Sequence, residues 1–134
     1  MFFRTAFVSL LRAGARPGSG ALSSRALSGT PPIVPIKYLA LRYTYVEGIL
    51  EKRAPFRADH LRGLQESAAR GEIALAGAFN APADGAVFLF DASKCTKQDV
   101  ELFAATDPYV ENGLVPKWDV CEYMAVAGTL HNPP

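Results

Sequence analysis

From residue 36 onward the chain switches between two hydrophobic rhythms. Residues 36–46 repeat at every second position, with Leu39, Leu41, Tyr43 and Tyr45 on one face and Ile36, Tyr38 and Ala40 on the other. That is the period of a β-strand, and two apolar faces both call for cover. The rhythm lengthens over residues 55–70, where Phe56, Leu61, Leu64 and Ala68 mark one side of a helix. Pro55 suits a first helical turn, and Gly71 suits the residue just past the last one. Residues 72–79 return to strand character. Residues 80–85 contain Pro82 and the Asp84-Gly85 pair, a hairpin signal between two apolar runs. Residues 86–90 are apolar throughout and read as a third strand. Residues 93–105 read as a second helix, with Val100, Leu102, Phe103 and Ala104 as its apolar side. Asp107-Pro108 closes it, because the residue before proline avoids helical backbone. Residues 115–126, with Trp118, Val120, Tyr123 and Met124, form a fourth strand. Residues 129–134 read as a tail.

The predicted order is β-α-β-β-α-β, the split βαβ arrangement of ferredoxin-like α+β folds. Two helices cover one face of a four-stranded antiparallel sheet. The other face is apolar as well, and a second copy of the same sheet is the economical cover, so a homodimer is expected.

Charge separates the N-terminus from the rest. Over the 134 residues the formal net charge is +1, which argues against a strongly basic nucleic-acid binder. Yet residues 1–30 hold Arg4, Arg12, Arg16 and Arg25 and no acid; without those four, 10 basic residues face 13 acidic ones, a formal −3. An amphipathic, Arg- and Ser-rich, acid-free start is the pattern of an organelle transit peptide. Residues 1–32 are therefore expected to be a mitochondrial presequence and linker, a plastid one being the alternative. Residues 33–128 are then the domain. No apolar run approaches the ~18 residues of a membrane span. Cys95 and Cys121 are too few for a disulfide scaffold or a four-cysteine zinc site. No cofactor motif is present, and one well-placed histidine among scattered carboxylates falls short of metal-ligand spacing.

Candidate chemistry is sparse. Of two histidines, His131 lies in the tail and His60 in the first helix, one turn after Phe56 and one before Leu64, at the edge of the buried stripe. A half-buried histidine suits acid–base work if a partner orients its ring. Asp107, at the end of the second helix, is the best candidate; a purely structural histidine and a purely helix-ending aspartate are the alternatives. Arg53 and Arg57 are either a solvated pair or a clamp for a small carboxylate. The aromatics Tyr43, Tyr45, Phe88, Phe90, Trp118 and Tyr123 read as core or dimer interface, with a ligand cage as the alternative. Cys95 opens the second helix, where the dipole favours a thiolate, but an inert role fits its surroundings better.

These residues carry a resemblance. The stretch Glu51-Lys52-Arg53-Ala54-Pro55-Phe56-Arg57-Ala58-Asp59-His60-Leu61 is followed by Gly71-Glu72-Ile73-Ala74-Leu75-Ala76-Gly77, then Asp84-Gly85-Ala86. Asp107-Pro108-Tyr109-Val110 comes next and runs through Gly113-Leu114-Val115 to Trp118. In order and spacing, residues 38–124 resemble the YciI-like (YCII-related) proteins. The resemblance implies a dimeric α+β barrel and a His–Asp pair in a pocket, carried here by His60 and Asp107. Arg57 matches the arginine that accompanies the histidine. It also implies kinship with muconolactone-isomerase-type barrels and with a few dehydrochlorinases and related lyases. His60 and Asp107 are the expected catalytic pair, and Arg57, Arg53, Tyr43 and Tyr109 the expected substrate contacts. The expected function is acid–base chemistry on a small anionic or cyclic metabolite. A non-catalytic binding or accessory domain in the mitochondrion is the alternative.

Overall fold

The computed structural model describes residues 29–133, so the expected presequence lies almost wholly outside the described residues. The elements run β1 (Ile36–Thr44), α1 (Ile49–Lys52), α2 (Arg57–Ala69), β2 (Ile73–Ala78), β3 (Gly85–Asp91), α3 (Lys97–Thr106), α4 (Pro108–Glu111) and β4 (Lys117–Ala125). The four strands form one antiparallel sheet in the order β2-β3-β1-β4, the ferredoxin-like topology. Among the described residues no helix is long and apolar enough to cross a membrane.

Pairing register explains the two faces. Leu39, Leu41 and Tyr43 of β1 lie opposite Phe90, Phe88 and Ala86 of β3, and all six are buried under the helices. Their alternates make the other face. There Tyr38 pairs with Tyr123, Leu75 with Leu89, and Arg42 with Asp119 in a forked ion pair. Leu75 is 56% and Tyr123 48% exposed, so this face is apolar and open. The chain end crosses one corner of it. His131 Nε2 meets the Val34 carbonyl oxygen at 2.7 Å, and the Tyr38 hydroxyl donates to the Leu130 carbonyl at 3.4 Å. Part of the expected tail is thus hydrogen-bonded.

Three local expectations change. The connection before α2 contains the short helix α1, entered through Gly48 at φ 73°, a left-handed conformation that suits glycine. The second helix starts later than its apolar pattern. Asp91 Oδ1 accepts from the Ser93 amide and hydroxyl, and Thr96 then caps α3 in a reciprocal box with Asp99. Cys95 therefore precedes the helix, and burial raises its thiol pKa, contrary to a dipole-stabilised thiolate. In α2 the most buried residues are His60 and Ser67, while Ala68 is exposed. The helix packs on β2 and α4, which turns its contact face toward His60.

Candidate active site

Asp107 is where two helices meet. Its backbone caps the end of α3, and with Pro108 at the first helical position it begins α4. Its side chain accepts from the Tyr109 amide at 2.8 Å, as an N-cap carboxylate does. Being only half in each helix, it turns its carboxylate across to α2. There His60 Nδ1 lies 2.9 Å from Oδ1 and 2.8 Å from Oδ2. The Tyr43 hydroxyl, rising from β1, donates to Oδ2 at 3.1 Å. His60 and Asp107 are each 5% exposed.

Aromatic rings hold the imidazole. Tyr109 stacks on His60 with centroids 3.8 Å apart and planes 10° from parallel, and Phe88 lies 6.2 Å away. Phe88 in turn meets Tyr43 edge to face at 4.9 Å. A carboxylate only accepts hydrogen bonds, so Nδ1 carries the hydrogen. A neutral imidazole then leaves Nε2 as a proton acceptor.

His60 also lines a cavity of about 190 Å³ between α2 and β2. Tyr45, Arg53, Arg57, Phe88 and Tyr109 share its wall, and the exposed edge strand at residues 76–78 forms its rim. Burial, reinforced by Tyr109 and Asp107, pushes the Tyr45 hydroxyl up to about 12, with Arg53 and Arg57 pulling the other way. The Tyr109 hydroxyl is raised by burial and opposed by the same two arginines. A second cavity of about 180 Å³ touches the pair from the α3 side, between Gly63, Phe103 and Thr106.

The structure thus brings His60, Asp107, Arg53, Arg57 and Tyr109 to one place. Tyr43, expected against substrate, instead supports Asp107 from below, and its hydroxyl pKa is raised by burial first and by Asp107 second. Tyr45, expected in core or interface, lines the cavity. Its parity with Tyr43, continued one residue past the end of β1, is the one signal in the sequence.

A ferredoxin-like α+β domain with a buried, hydrogen-bonded His–Asp pair beside a small cavity is the class that fold and site define. The YCII-related domain profile matches residues 36–123, and the chain belongs to that family. Among solved structures it is similar to 5-chloro-2-hydroxyhydroquinone dehydrochlorinase (TftG) from Burkholderia phenoliruptrix AC1100, in complex with 2,5-dihydroxybenzoquinone. The identity is 20% and the TM-score 0.52, covering 62% of this chain and 89% of that one. No curated protein matches significantly.

Proposed function

We propose that this protein is an acid–base enzyme of the lyase or isomerase type, acting on a small anionic or cyclic metabolite. The observation that carries the reading is the buried His60–Asp107 pair, whose hydrogen bonds run through Nδ1, at the wall of a cavity that also holds Arg53 and Arg57. Asp107 orients the ring, Nε2 takes or returns the substrate proton, and the arginines hold its negative charge. The solved relative, a dehydrochlorinase bound to a dihydroxybenzoquinone, supports a small cyclic substrate. The acid-free N-terminus supports action in the mitochondrial matrix, and the open apolar sheet face supports a homodimer.

The test screens the full chain by thermal shift against small acids, lactones and halogenated or phenolic compounds, and assays hits for turnover. A ligand at a hundred times its Kd adds about 2.7 kcal/mol of stability, a readable shift. His60→Ala is expected to abolish turnover in a folded protein. Full turnover by that variant would overturn the proposal. Saturable binding without product would favour the accessory-domain alternative.

A further inference from the structure

Tyr109 is 1% exposed, and its hydroxyl is the one fully buried side-chain polar atom among the described residues with no hydrogen-bond partner. Its ring is accounted for by stacking on His60; its oxygen makes no well-formed hydrogen bond, although the exposed Arg57 guanidinium stands near enough to act on it as a donor. A buried hydroxyl left unpaired costs stability, and phenylalanine would stack equally well without that cost. The arginines show a second anomaly. Arg42, Arg62 and Arg70 are paired with Asp119, Asp59 and Glu72. Among the described residues Arg53 and Arg57 have no such ion pair, and both line the cavity beside Tyr109. All three groups line this one cavity, and both guanidiniums act on the Tyr109 hydroxyl, Arg57 from close enough to serve as a donor to it.

We propose that the Tyr109 hydroxyl, Arg53 and Arg57 form a carboxylate subsite, and that the ligand is a carboxylic acid built on no more than one ring. The charge account favours an anion, because two cations line the cavity with no ion pair of their own among the described residues, no acid shares its wall, and the nearby Asp107 carboxylate is taken up by His60. The geometry of a guanidinium matches a planar carboxylate through two parallel hydrogen bonds, and the remaining lone pairs can accept from the phenol. The cavity, at about 190 Å³, is below the usual range for drug-sized ligands, which limits the occupant to about one ring. Arg57 is exposed, so an incoming group can reach its guanidinium from solvent. Tyr109 is then a specificity residue: a site built to hydrogen-bond an acid discriminates against a neutral isostere that cannot accept in the same way.

This inference rests on the acid–base reading for the identity of the cavity, but the two fail differently. The full chain, Tyr109→Phe, Arg57→Gln and His60→Ala are compared with benzoate, cyclohexanecarboxylate and the neutral benzamide as probes. Both acids are expected to stabilise the wild type and benzamide to leave it unchanged. Tyr109→Phe is expected to bind the acids about tenfold or more weakly, as for loss of a hydrogen bond to a charged group. Without ligand, the same variant is expected to melt no lower than the wild type, because it deletes an unpaired hydroxyl. Arg57→Gln is expected to lose the preference for acid over amide. No stabilisation by either acid, equal binding of benzoate and benzamide, unchanged acid binding in Tyr109→Phe, or a ligand-free Tyr109→Phe that melts several degrees lower would each overturn the subsite. Failure of the acid–base reading would instead appear as carboxylate binding with no His60-dependent turnover of any compound.

Discussion

Asp107 spends its hydrogen-bonding capacity inward, on His60, Tyr43 and the Tyr109 amide. A buried carboxylate holding three partners cannot be removed without orphaning them. Asp107→Ala is expected to lose about 3 kcal/mol in urea unfolding, as for breaking a buried pair. Asp107→Asn is expected to lose clearly less, because asparagine also caps a helix, while turnover falls for want of a ring-orienting carboxylate. Tyr43→Phe keeps the edge-to-face contact with Phe88 and deletes one donor, so a loss of about 1–2 kcal/mol is expected by the same measurement. His60 and Asp107 were legible in the sequence as residue types at suggestive places. Their contact was not, because 47 residues separate them and nothing local reports it. The supporting role of Tyr43 was invisible for the same reason: it depends on what stands above the sheet, not on the strand that carries it.

At the scale of elements, every strand and both long helices follow from hydrophobic period and turn chemistry, with ends displaced where side chains capture the backbone. The start of α3 is the clear case. Its apolar residues extend the pattern backward, but Asp91 binds Ser93 and holds that segment in a turn, so the Thr96 box sets the first turn of the helix. Thr96→Ala is expected to cost about 1 kcal/mol in unfolding with turnover intact, since the cap stands apart from the dyad. The hairpin between β2 and β3 makes a different demand. A Cβ at Gly85 would collide with the Tyr43 backbone carbonyl. Gly85→Ala therefore displaces the β1–β3 pairing directly beneath the residue that supports Asp107. A loss of both stability and activity is expected in that variant, where Thr96→Ala shows only the first.

For the whole molecule, two properties emerge from assembly. The first is alkaline behaviour. Burial raises the hydroxyls of Tyr43 and Tyr45, the latter to about 12, above the value of about 10 for an unfolded tyrosine. Their contribution is fully present below pH ~10 and is lost as pH rises toward about 12, because the unfolded chain releases those protons first. The urea midpoint is expected to fall across that window, and Tyr45→Phe to flatten the fall. The second is the open sheet face, with Leu75 and Tyr123 exposed around the Arg42–Asp119 pair. In the proposed homodimer a second copy covers it. Sedimentation is expected to show a dimer for the wild type and a monomer with unchanged circular dichroism for Leu75→Glu combined with Tyr123→Glu; a monomeric wild type would refute the dimer.

By itself the sequence determined the order of the strands and the two long helices, the topology class, the apolar character of both sheet faces, and a short set of chemically capable residues, but not the short helices α1 and α4. Those are consequences of period, turn residues and composition, which act within a few positions along the chain. Only the tertiary structure decided which of these residues meet. The rotation of α2 toward α4 buried His60 against Asp107, the strand register placed Tyr43 beneath them, and the gap between α2 and β2 gathered Arg53, Arg57 and Tyr109 around one cavity. Such contacts join segments far apart in sequence, and packing of whole elements sets them, which no local pattern encodes.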